Sequence, residues 1–414
     1  MIYFAYSLFL GFTPLFLLYS VIGINSAPQR WRKYLPWLIL AIGMISYGMQ
    51  SKAEIDLDRY FQEATEVGRL PFYEIFSYKG SHGEYEGLWV IKVVFWIVGR
   101  MGVVHLLPMI AGCIVYGVAF YITCDVAEEY NAQTTIPTVI AIQVCMLPFF
   151  SIISNVRNVT AFSLIVLAVY LDTVKKKRNP VVLILYILPV FIHSSAIILI
   201  LLRIGLLLTV KAKVLFLAIV SLLPMLIDTL YTYINSIPFG GSFGAVLRLL
   251  ILKGYWYLHD KNDTAWARQV GSSKHQQLNR FVMIAFAVFV IYLICFRAFK
   301  QIKEKHKKIV SYTFLLSILT LSCSWFTTPH YWRFSAASVV SMGAVLVPLF
   351  MEKRAGESSL KLSKNLVFIF AVLGVLLQIW PMQYNVDFSG WFENILLNNF
   401  YVIVFTIIRG AFCA

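Results

Sequence analysis

Charge is what this 414-residue chain has least of: 13% of its residues are Asp, Glu, Lys or Arg, against 59% hydrophobic and 16% aromatic. Soluble domains carry about 25% charged residues, so this composition excludes an ordinary soluble enzyme. The six cysteines (113, 124, 145, 295, 323 and 413) include no Cys-x-x-Cys and all fall in apolar runs. Neither a disulfide framework nor a thiolate metal site follows from them. The seven histidines lack metal-binding spacing of the His-Glu-x-x-His kind. A glycine-rich phosphate loop is missing, and so is an Asp-x-Asp in a soluble setting. Both absences argue against a nucleotide-activated donor on the cytoplasmic side. The first apolar run lacks a basic lead and an Ala-x-Ala-like site, so it reads as a retained span.

What the chain does have is apolar runs of roughly 17 to 25 residues from end to end, the length that crosses a bilayer. The net charge is +15. Its basic residues cluster in short turns: Arg30/Arg32/Lys33, Lys175–Arg178, Lys211/Lys213, Lys300–Lys308 and Lys353/Arg354/Lys361/Lys364. That is a positive-inside pattern, not a nucleic-acid surface. Placing every basic turn in the cytoplasm fixes the crossings. Spans fall near 2–24, 34–50, 103–125, 135–153, 156–174, 180–192, 194–210, 213–232, 276–297, 309–327, 335–351, 365–382 and 397–412. The expected fold is all-α: one polytopic membrane domain over 1–414, a bundle of about 12–14 transmembrane helices. Parity makes 87–100 an amphipathic outer-face helix, interrupted by Lys92 and ended by Arg100. It also forces 180–210 to break, and His193-Ser194-Ser195 is the polar triplet where it can. The outer face then carries 51–102, the long loop 232–275 and 328–334. Eight of the twenty acidic residues lie between Glu54 and Glu86.

Charge held at membrane level is costly and marks function by default. Asp56-Leu57-Asp58-Arg59-Tyr60 offers a carboxylate and a phenol at i,i+4, or simply an acidic helix start. Arg157, on the side that the positive-inside rule disfavours, suits bidentate grip of a diphosphate, although such a residue also snorkels to headgroups. His193 lies at the expected helix break, with a reference pKa suited to proton exchange; the alternative is a structural hydrogen bond. His330 and Arg333 sit among Tyr331, Trp332 and Phe334, which also fit an interfacial belt. The loop 232–275 carries Arg248, Tyr255 and His259, and 243–258 reads as an amphipathic surface helix whose aromatics can stack on sugars.

These segments together resemble the EpsG/Wzy-type bacterial polysaccharide polymerases, a GT-C-like group. Asp56-Leu57-x-Arg59-Tyr60 is similar to the family's motif after span two, with Glu54-Ile55 where a glycine is usual. Arg157 followed by an apolar span and a basic turn resembles the family arginine, and Phe191-Ile192-His193-Ser194-Ser195-Ala196 its apolar-His-x-Ser/Ala signature. The resemblance implies an inverting, metal-independent glycosyltransferase without cofactors in the bacterial cytoplasmic membrane. It would join oligosaccharide repeat units carried on polyprenyl diphosphate at the outer face, with chain-length regulator or flippase proteins as candidate partners. Arg157 and Arg333 would clamp diphosphate, and His193 or Asp56 would act as base. Arg59, Tyr60, Arg248, Tyr255, His259 and His330 would bind substrate. The competing readings are a flippase for the same lipid, a glycan ligase and a membrane acyltransferase. The sequence shows no internal repeat of the kind transporters often have.

Overall fold

The computed structural model describes residues 13–50, 56–80, 83–208, 227–236, 241–259, 274–298, 302–326, 330–352, 358–397 and 400–413. The first part of the expected opening span, most of that at 213–232 and the loop 260–273 lie outside these residues. The described part is helical, with no strand. Its helices are α1 (Thr13–Ser26), α2 (Trp31–Tyr47), α3 (Asp56–Arg69), α4 (Trp89–Arg100), α5 (Leu106–Glu129), α6 (Ile136–Met146), α7 (Phe149–Ser154) and α8 (Val156–Thr173). They continue as α9 (Pro180–Ile187), α10 (Ala196–Gly205), α11 (Ile227–Ser236), α12 (Gly241–His259), α13 (Lys274–Tyr292) and α14 (Lys307–Phe326). The chain ends in α15 (His330–Ser341), α16 (Gly343–Met351), α17 (Ser358–Asn385), α18 (Phe388–Leu397) and α19 (Phe400–Cys413).

Among the described residues, Leu106–Glu129, Val156–Thr173 and Leu360–Ile379 are each long and apolar enough to cross a membrane alone. Trp332–Ser341 and Gly343–Met351 together make a fourth candidate, bent by 50°. Helices α5 and α8 form the centre of the bundle. Phe120, Ile165, Val166 and Tyr170 have no exposed surface. The outer face of α17 presents Phe368, Val372 and Leu376 instead, as a lipid-facing helix does.

Local chemistry sets the breaks. Leu147 is extended (ψ 112°) ahead of Pro148, whose ring disfavours a helical predecessor. The expected span 135–153 is therefore two helices. The segment 180–210 breaks at the histidine turn as expected. Asn179 caps α9, its Oδ1 accepting from Val182 N at 3.2 Å, with Pro180 at the first helical position. A 3₁₀ turn over Leu188–Phe191 then leads into His193, and α10 starts at Ala196.

Helices α3 and α4 form the layer that positions the site. They cross at two glycines with backbone on backbone. A Cβ on Gly99 would lie 1.8 Å from Ala64 O, and one on Gly68 would lie 2.4 Å from Gly99 C. Lys92, the interruption in the apolar run of α4, is buried. Its ammonium donates to Phe76 O at 2.8 Å and Tyr78 O at 2.9 Å. Burial pushes that ammonium down to about 8. The lysine thereby pins the stretch between α3 and α4, which then turns at Gly83 and Gly87, both with positive φ.

Candidate functional site

The site gathers around the start of α8. Asn155 breaks the helical path between α7 and α8 (φ −112°, ψ 47°), and Arg157 lies two residues on, in the first turn. The Arg157 side chain is 4% exposed. Its guanidinium carbon lies 4.4 Å from the ring centroid of Tyr85 and 5.2 Å from that of Tyr60. One terminal nitrogen donates to Glu84 O at 3.4 Å, and Nε has no partner. Among the described residues no carboxylate lies within ion-pair distance of Arg157 or Arg333. A buried guanidinium in that state is costly, and two aromatic faces offset only part of the cost.

Tyr60 brings α3 into the site. It is buried and lies one position from Arg59, whose guanidinium carbon is 5.7 Å from the Tyr60 centroid. Arg59 pairs with Asp56 at 3.1 Å, and both side chains are about half exposed. The segment Asp56–Tyr60 therefore presents a carboxylate, a guanidinium and a phenol next to Arg157. Further along α3, Glu63 is buried and accepts from the Tyr78 hydroxyl. Burial pushes this carboxyl above its usual range, and the Tyr78 hydrogen bond opposes the shift.

From the other side, α15 delivers Arg333. A terminal nitrogen of Arg333 donates to Asn155 Oδ1 at 3.3 Å, and its Nε is buried without a partner. The next residue, Phe334, stacks on Phe162 of α8 with centroids 5.3 Å apart. His193 meets the same Phe162 ring edge-on at 6.1 Å. The Arg157, Arg333 and His193 segments thus converge on one end of α8. The imidazole is 5% exposed, and its Nδ1 accepts from Ser195 N at 3.3 Å. With Nδ1 accepting, the neutral ring carries its proton on Nε2 and acts there as a donor.

The remaining residues are distributed less evenly. Helix α12 passes over the turn before α4: a Cβ on Gly87 would lie 2.8 Å from Ser242 O and 3.1 Å from Val246 N. Arg248 follows on that helix, with a buried, partnerless Nε. Tyr255 stacks on Tyr231 of α11 at 4.0 Å, within the hairpin. The side chains of His259 and His330 lie outside the described residues. No group of three His, Cys, Asp or Glu among the described residues is placed to hold a metal. A cavity of about 540 Å³ opens between α2 and α5, lined by Trp31, Leu35, Pro36 and Tyr121 and by none of these site residues.

Sequence reasoning missed Tyr85, Glu63 and the anchoring role of Lys92. The available signal was Gly83-Glu84-Tyr85-Glu86-Gly87, an aromatic framed by turn glycines.

The sequence model of the EpsG family matches residues 106–391, more than half of the chain. That range takes in Arg157, His193, Arg248 and Arg333 and starts after Asp56–Tyr60. No curated protein and no solved structure matches the chain.

Proposed function

Since the chain belongs to the EpsG family, we propose that it is a bacterial polysaccharide polymerase. In this reading it is a membrane glycosyltransferase that joins repeat units carried on polyprenyl diphosphate, at the outer face of the cytoplasmic membrane. Transfer is inverting and needs no metal ion. The observation that carries the proposal is Arg157: a buried cation against two phenol rings, with no carboxylate at ion-pair distance among the described residues. A diphosphate supplies that missing charge and accepts bidentate hydrogen bonds.

The acceptor hydroxyl attacks the anomeric carbon as the bond to the diphosphate oxygen breaks. The hydroxyl proton passes to a carboxylate, and Asp56 is the candidate because it stands ion-paired beside Tyr60 at the edge of the site. The departing diphosphate gains negative charge. Arg157 and Arg333 stabilise that charge more in the transition state than in the ground state. Arg248, on α12, is the further cation in this proposal. His193, protonated on Nε2, donates to an oxygen of the donor and is not the base in this arrangement.

The test is chain lengthening by purified protein in nanodiscs on lipid-linked repeat units. Arg157→Ala, inserted at normal levels, is expected to lower the rate by about 10²–10³, the usual loss for one preorganised charge-stabilising contact. An unchanged product ladder would overturn the reading. Movement of the lipid-linked sugar across the bilayer without joining would point to a flippase.

A further inference from the structure

Buried polar atoms without partners are few in native interiors, and several gather beside these arginines. The uncharged ones include Ser154 Oγ, Asn158 Oδ1 and Ser194 Oγ, on residues 4%, 2% and 0% exposed. Their position follows from contacts already described. Asn158 and Phe162, four residues apart within α8, share one face of that helix, and Asn155 stands at its N-terminal cap. Asn155 takes the hydrogen bond from Arg333, and Phe162 touches both Phe334 and His193. Asn158 therefore faces the start of α15 and the histidine turn. Ser194 follows His193, and Ser154 precedes Asn155. Arg157, one residue before Asn158, points about 100° away around the helix.

The chemistry of these atoms differs from that of the arginines. The Asn158 carbonyl oxygen can only accept, and a diphosphate offers only acceptors. A sugar hydroxyl or amide N–H can donate to it, and serine hydroxyls can serve both roles. We propose that Asn158, Ser194 and Ser154 form an uncharged subsite that holds the sugar of the lipid-linked donor, adjacent to the arginines that take its diphosphate. This rests on the polymerase reading and extends it to which residues recognise sugar and which recognise lipid diphosphate.

Two probes separate the roles in the full-length protein in nanodiscs: undecaprenyl diphosphate alone, and the lipid-linked oligosaccharide isolated from the host's own membranes. Asn158→Leu is expected to weaken binding of the sugar-bearing lipid about 3- to 10-fold, the loss of one neutral hydrogen bond, and to leave the bare lipid within about twofold. The same variant should unfold at a higher temperature without ligand, because it removes an unsatisfied buried acceptor. Ser194→Ala gives a second measurement, with the same direction expected for binding. Equal weakening of both probes would overturn the proposal. So would a rise in unfolding temperature with both affinities unchanged, which would mean that the atoms hold water only. Arg157→Ala should weaken both probes. If it leaves the bare lipid unaffected, the diphosphate clamp fails, whatever Asn158→Leu shows.

Discussion

The guanidinium carbon of Arg157 stands 4.4 Å from the ring centroid of Tyr85, a residue of the turn between α3 and α4. The turn thus orients a cation that belongs to the bundle core. A cation over a desolvated aromatic face gains roughly 1–2 kcal/mol, and fixing the fork removes rotamer freedom before substrate arrives. Tyr85→Leu should therefore slow polymerisation about tenfold more than Tyr85→Phe, since about 1.4 kcal/mol is a factor of ten. Single-turnover rates on saturating lipid-linked substrate would show this. Equal rates for the two variants would mean that the ring does not orient the arginine.

Arg333 depends on Asn155 in a comparable way. Its hydrogen bond to Asn155 Oδ1 at 3.3 Å ties α15 to the break between α7 and α8. Asn155→Leu should release Arg333 and lower kcat about tenfold or more, the worth of a hydrogen bond to a charged group. Arg333→Lys should not preserve activity, because a point charge does not reproduce a planar fork. Full activity of Arg333→Lys would reduce this residue to simple electrostatics.

The α3–α4 crossing gives a stability test. A methyl group at Gly99 would overlap Ala64 O, which is backbone and cannot swing aside. Gly99→Ala should cost about 1–3 kcal/mol through overpacking and displace Tyr60 from Arg157. Gly117 of α5 is the control: the nearest atoms to its added Cβ would be those of the Ile39 side chain, 3.4 Å away at the closest. Gly117→Ala should be neutral or stabilise by up to about 1 kcal/mol, as alanine replaces glycine in a helix. Thermal unfolding in detergent would compare the two, and a Gly99→Ala protein as stable as Gly117→Ala would show that the helices separate freely.

Features carried by local chemistry were legible in the sequence. The polar triplet at His193 does break its segment, and a helix is observed over Gly241–His259 where one was expected at 243–258. Helix 87–100 is observed as Trp89–Arg100. Two expected single spans are bent or broken. One follows from Pro148. The other bends between Ser341 and Gly343, where a Cβ on Gly343 would lie 2.3 Å from Thr123 Oγ1, so close packing on α5 admits only glycine. The pairing of Arg157 with Tyr85 was not legible, because it depends on where a distant turn folds back. Lys92 was visible as an interruption, but its two carbonyl partners exist only once the preceding loop is wrapped over α4.

The opposite end of the bundle makes a pH prediction. Glu129, at the end of α5, meets Lys175 at 2.9 Å, Lys305 at 2.8 Å and His306 Nε2 at 2.6 Å. The His306 side chain has no exposed surface and stacks on Tyr130 at 5.2 Å. Burial pushes its imidazole down to about 4, against the pull of Glu129, with Lys305 and Lys303 adding to the decrease. The unfolded chain, titrating near 6.5, binds the proton more readily than the folded one between those values. Stability is therefore present in full above about 6.5 and is lost as pH falls towards 4, by roughly 1–3 kcal/mol. His306→Phe keeps the ring on Tyr130 and removes the titration. Its unfolding temperature should fall less steeply from pH 7 to pH 4.5 than that of the parent. Parallel pH profiles would place the acid sensitivity elsewhere, and a steeper profile in the variant would mean that His306 is held protonated by Glu129.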